Sequence, residues 1–106
     1  MEITIGELRK IILAGKIQWT THVLMKIQER DIHPSDIIHC VEAGQIIENY
    51  PDDYPYPSCL VLGETVSRKP LHAVIGIGRG MAWLITAYIP DPEKWSDDFT
   101  TRKEHK

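Results

Sequence analysis

The sequence predicts an α+β domain in which N-terminal helices pack on a four-stranded, mainly antiparallel sheet. Three observations carry this expectation. Apolar residues recur at helical spacing up to Gly44. Beyond it the apolar residues alternate with period two between clusters of turn residues. The longest alternating stretch, residues 71–90, reads as two strands joined tightly at Gly78-Arg79-Gly80-Met81. Helices first and strands afterwards is the order of an α+β chain.

A chain of 106 residues is expected to form one domain around one core, with residues 96–106 a partly mobile tail. Its 42% hydrophobic and 25% charged residues are ordinary for a soluble globular protein. No apolar run nears the roughly 20 residues that span a bilayer, so no membrane partner is expected. The start lacks the basic and apolar stretches of a secretory signal, which places the expected location in the cytoplasm. A net charge of −3 argues against indiscriminate nucleic-acid binding but allows a local basic stripe.

Thr4-Ile5-Gly6-Glu7 has the form of a capping box, and Ile5, Leu8, Ile11 and Ile12 follow at helical spacing, so the first helix runs to about Ala14 with Gly15 at its C-cap. A second helix starts behind Thr20 or Thr21 and buries Val23, Leu24 and Ile27. On it His22, Lys26 and Arg30 line up four residues apart, a row that can hold a phosphate. His33-Pro34-Ser35-Asp36 opens a third helix, with proline at its first position and an acid in its first turn, and Gly44 closes it. Residues 45–48 and 58–62 read as strands, separated by an irregular loop of three prolines and three tyrosines between Tyr50 and Pro57. In the tail, Trp95 and Phe99 are rings able to pin it to the body.

The hairpin register follows from its pattern. Leu71, Ala73, Ile75 and Ile77 share a face with Trp83, Ile85, Ala87 and Ile89 if Ile75 lies opposite Ile85, which requires an odd loop of Arg79, Gly80 and Met81. His72 then falls opposite Tyr88 and Val74 opposite Thr86. His72, Thr86 and Tyr88 gather on the face turned away from the main core.

Several segments together resemble a family of small bacterial domains of unknown function grouped with the RelE/ParE-like toxins in the barnase-like ribonuclease fold clan. They are Thr21-His22 with Lys26 and Gln28-Glu29-Arg30, Glu42-Ala43-Gly44, Ile46-Ile47-Glu48-Asn49-Tyr50, Pro70-Leu71-His72, and Thr86 through the Pro90-Asp91-Pro92-Glu93-Lys94-Trp95 run. The resemblance implies a RelE/ParE toxin-like fold and a working face, and with them RNA and an antitoxin as partners. The face departs from that of strongly basic ribosome-dependent toxins, because here it sits in an acidic protein.

Cleaving RNA without metal needs a base for the ribose 2′-hydroxyl, an acid for the leaving oxygen and cations for the charge developing on phosphorus. His22 and His72 are the candidate acid and base, with Tyr88 as a catalytic or stacking partner; Lys26, Arg30 and Thr86 are the candidate phosphate contacts. The plainer reading makes His72 a sheet histidine hydrogen-bonded to Tyr88 and the basic row a solvated helix face. No cofactor is implied. No metal is expected either, since His33 and His39 are six residues apart and His105 lies in the tail. Cys40 and Cys59 read as buried free thiols, and Asp52 and Asp53 as turn residues. A second function class stays open: a non-catalytic interaction domain that binds a protein partner through its proline and tyrosine loop or a sheet edge.

Overall fold

The computed structural model describes residues 2–103. Hydroxyl caps start the first two helices as the sequence indicates. The Thr4 Oγ1 accepts the Glu7 amide at 3.2 Å ahead of α1 (Ile5–Leu13), and Thr20 Oγ1 accepts the Val23 amide at 3.1 Å ahead of α2 (Thr21–Glu29). Between them lies a two-residue strand, β1 (Ile17–Gln18). Pro34 opens α3 (Pro34–Ala43), where the Asp36 carboxylate takes the His33 amide on one oxygen and the Val66 amide on the other, both at 2.8 Å. That buried acid ties the helix start to the turn after the third strand.

Four strands then follow in sequence, β2 (Gln45–Tyr50), β3 (Ser58–Glu64), β4 (Pro70–Gly78) and β5 (Met81–Tyr88), each antiparallel to the next. The sheet has five strands rather than the expected four, because β1 pairs in parallel with Ala82 and Trp83 of β5, giving the order β1-β5-β4-β3-β2. Two residues are too short to leave a period-two trace in sequence. The three helices cover one face of the sheet, where Leu8, Ile27 and Ile37 pack against Val61, Leu71, Ile75 and Leu84. Each such side chain removed from water is worth about 1.5–3 kcal/mol. Gly44 does not take the left-handed conformation expected of a C-cap. It is extended at φ −90°, and a Cβ there would strike the Cys40 and Leu62 carbonyls, so glycine lets the end of α3 lie directly on β3. Cys40 and Cys59 are buried free thiols, as expected. Among the described residues no helix is long and apolar enough to cross a membrane.

The hairpin differs from its predicted form. His72 pairs with Tyr88 and Val74 with Thr86, as expected, but Ile75 pairs with Leu84 rather than Ile85, and Gly78 pairs with Met81 across a two-residue turn. Arg79 and Gly80 both have positive φ, 55° and 73°, the conformation of a type I′ turn. An even loop alone would have put Thr86 and Tyr88 into the core. A bulge at Ile85 switches the parity, so Ala82 and Leu84 join the core while Thr86 and Tyr88 stay outside it. The requirement to keep the hydroxyl and phenol out of the core is met, although by a bulge and not by an odd loop. Two expected core residues move in consequence: Trp83 turns to the outer face and Ile85 is 44% exposed.

Candidate functional site on the outer face of the sheet

Strand pairing decides which side chains share the face away from the helices. Glu48 and Leu60, Leu60 and Val74, and Val74 and Thr86 are successive partners across the sheet, and Leu62, His72 and Tyr88 form the next row. Alternation along β2 puts Tyr50 beside Glu48. The chain after Tyr88 then folds back over this face. Trp95 is 4% exposed and sets its ring edge-on to His72 at 4.4 Å, while Trp95 and Arg102 pair as a short antiparallel bridge.

His72 is fully buried beneath this segment, with both ring nitrogens engaged. Nε2 lies 2.9 Å from the Phe99 carbonyl, which can only accept, so Nε2 carries the proton and Nδ1 accepts the Tyr88 hydroxyl at 3.3 Å. Burial lowers the His72 pKa and outweighs the opposing pull of the Phe99 carbonyl and the Glu48 carboxylate. The imidazole is therefore neutral. Burial likewise raises the Tyr88 pKa, keeping the phenol protonated.

A second group adjoins it. Arg102 holds Glu48 in a two-pronged pair, Nε to Oε2 and Nη2 to Oε1, each at 3.1 Å, and Tyr50 donates its hydroxyl to the same carboxylate. The guanidinium also lies 4.8 Å above the Trp95 ring. Burial pushes the Glu48 pKa up, but the bonds from Arg102 and Tyr50 prevail and hold the carboxyl below its usual range. Desolvation together with the Glu48 carboxylate pushes Tyr50 up to about 12. The Arg102 side chain remains 62% exposed and that of Glu48 24%, so solvent and solutes reach both.

Of the residues selected from sequence, the structure brings His72 to Tyr88 and Arg30 to Thr86. Arg30 Nη1 donates to Thr86 Oγ1 at 3.2 Å and to the Ala87 carbonyl at 2.7 Å, fastening the end of α2 to the edge of β5. The expected pairing of His22 with His72 is not assembled. The start of α2 lies beside Trp83 and Ile85, where Thr20 and Val23 share a cavity with them, and His22 is exposed on that helix. His72, on β4, lies opposite Tyr88 at the far end of β5 and under the tail. Lys26 is exposed and pairs with Glu29 at 3.9 Å. The row of His22, Lys26 and Arg30 therefore does not converge on the histidine site. His105 lies outside the described residues, and among those described no three His, Cys, Asp or Glu side chains gather as a metal would need. Cys40 and Cys59 are inert by environment, burial pushing each thiol up to about 12.

Nothing in the sequence assigns a site role to Glu48, Tyr50 or Arg102. The Glu48-Asn49-Tyr50 alternation could have placed the first two on the His72 face, but no local signal connects Arg102 to a strand 54 residues earlier. Chemically the cluster offers a carboxylate, a protonated phenol backed by an imidazole acceptor, and a permanent cation, all on one face.

No curated protein and no solved structure matches this chain. A family model described as Domain of unknown function (DUF4258) matches residues 19–89, a span that holds the whole of α2, α3 and β2 to β5 and includes Glu48, His72 and Tyr88. The chain belongs to the DUF4258 family.

Proposed function

We propose that this protein is a RelE/ParE-like toxin-fold domain that binds RNA on the outer face of its sheet and cleaves it without a metal ion, its activity being restrained in the cell by an antitoxin. The observation that carries the reading is the convergence of Glu48, His72, Tyr88 and Arg102 from three strands and the tail onto one face. In this reading Arg102 leaves Glu48 to hold a phosphodiester through the same planar fork. The freed Glu48 carboxylate takes the proton of the 2′-hydroxyl, whose oxygen attacks phosphorus. Tyr88 turns its hydroxyl from His72 Nδ1 to the departing 5′-oxygen and gives it the proton, leaving a 2′,3′-cyclic phosphate; the resulting phenolate is reprotonated from water, and Glu48 releases the proton it took. His72 touches no solvent, so it is a positioning residue that orients the Tyr88 hydroxyl through Nδ1. The sequence-derived roles thus shift from His22 to Glu48 and from Lys26 to Arg102.

The test is incubation of the purified protein with total RNA in chelator, beside Tyr88→Phe and Glu48→Gln. Cleavage with cyclic-phosphate ends is expected, reduced roughly 10²–10⁴-fold in either variant. Absence of cleavage, or cleavage indifferent to both substitutions, refutes the catalytic reading. For RNA binding, Arg102→Ala should flatten the slope of log affinity against log salt by about 0.7–0.9, whereas Lys26→Ala should leave it unchanged.

A further inference from the structure

A cavity of about 600 Å³ lies beside β5 just beyond the point where β1 ends, apart from the Glu48–His72 cluster. The proline and tyrosine loop forms one wall, the start of α2 another, and Trp83 and Ile85 contribute the floor. Tyr56 and Trp83 are held by their neighbours. Tyr56 lies on Gly78, where a Cβ would meet the ring, and stacks on Trp83 with centroids 6.1 Å apart and planes 26° apart. The Trp83 indole N–H donates to the Gly78 carbonyl at 3.3 Å.

Among the residues lining the cavity Asp53 is the one charged group. Its carboxylate is oriented by two donors, the hydroxyl of fully buried Ser58 at 2.6 Å on Oδ2 and the Tyr54 amide at 3.1 Å on Oδ1. Each oxygen keeps further capacity to accept. At the rim Tyr54 is 92% exposed and Ile85, placed there by the bulge, 44% exposed. Both side chains offer apolar surface beside the aromatic cavity.

We infer that this cavity binds an arginine side chain of a protein partner. Charge complementarity selects the occupant. A planar guanidinium can stack on a tyrosine or tryptophan face while its fork donates to the oriented Asp53 carboxylate, and exposed Tyr54 and Ile85 can cover the apolar part of its stem and the neighbouring residues. A nucleotide would instead bring its phosphate toward Asp53 with no lining cation to receive it. The inference stands independently of RNA cleavage on the outer face.

The experiment uses the ¹⁵N-labelled full chain titrated with the blocked peptide acetyl-Gly-Arg-Gly-amide, followed through the Trp83 indole N–H and the Tyr54 and Ile85 amides. A saturable shift of these signals is expected, weaker with the lysine peptide. Asp53→Asn should weaken the arginine peptide on the order of tenfold. Tyr54→Ala, which alters an exposed side chain and leaves the core intact, should weaken it several-fold, and Arg102→Ala should not change it. The inference is overturned if the arginine peptide produces no shift, if acetyl-Gly-Glu-Gly-amide produces an equal one, if neither Asp53→Asn nor Tyr54→Ala matters, or if guanosine 5′-monophosphate binds this cavity more tightly.

Discussion

His72 shows how much one residue can be asked to do in a sheet. It is fully buried, yet every polar atom of its ring has a partner, so its desolvation is offset by bonds to Tyr88 and Phe99. Because burial holds its folded pKa below the ordinary 6.5, the unfolded chain takes up the proton first as pH falls. The stability this group contributes is complete above pH 6.5 and is lost as pH drops through and below that value. Glu48, with a carboxyl held below its ordinary 4.5, loses its contribution only in stronger acid. Urea midpoints should therefore decline between pH 7 and pH 5 in the parent, and that segment of the decline should vanish in His72→Gln. The variant should also be less stable at pH 7 by about 1–3 kcal/mol, since the Tyr88 hydroxyl and Phe99 carbonyl lose a buried partner. A parent midpoint that stays level across this range would contradict the assignment.

At the scale of the element, the β4–β5 hairpin is governed by a two-residue turn and a bulge acting together. Ile85 is the extra residue that keeps Thr86 and Tyr88 outside while Leu84 goes inside. Deleting it should either turn those two polar side chains into the core, at about 1–3 kcal/mol for each left without a partner, or slip the strand. Ile85→Ala, by contrast, removes a partly exposed side chain and should cost well under that sum. Thermal unfolding of the pair separates a register role from a packing role; equal losses would dismiss the former. The turn carries its own prediction. Arg79 sits at φ 55°, a region in which an L-residue with a full side chain is strained by roughly 1–2 kcal/mol and which asparagine tolerates better. Arg79→Asn should raise stability by several tenths of a kcal/mol, read from the midpoint of chemical unfolding.

Over the whole molecule the sheet is covered on both sides by different means, three helices on one face and the returning tail on the other. Trp95 fastens the tail to the sheet, its ring against His72 and under Arg102. Trp95→Ala should cost about 3–5 kcal/mol, the range for a buried aromatic, because the ring is nearly all removed from water. It should also admit water to His72, so an NMR titration should find the imidazole pKa raised toward 6.5. A cost of only a few tenths with an unmoved titration would mean the segment merely lies on the surface.

Helix starts, the class and the placing of His72 on the face opposite Ala73 were legible because they depend on local chemistry. Thr4 and Thr20 cap through their own hydroxyls, Pro34 fits only a first turn, and alternation along a strand separates His72 from Ala73 without reference to any neighbour. What could not be read depends on contacts between distant segments. β1 exists because the edge of β5 offers unpaired backbone groups to residues 17 and 18. The bulge and the even turn compensate each other in parity, so the pattern before and after them is the one an odd loop would leave. The separation of His22 from His72 follows from where α2 docks, and the union of Glu48 with Arg102 from where the tail returns. Which residues are apolar, capped or alternating is a local matter; which polar groups meet depends on packing between distant segments, because burial and hydrogen-bond partners are settled across the whole chain at once.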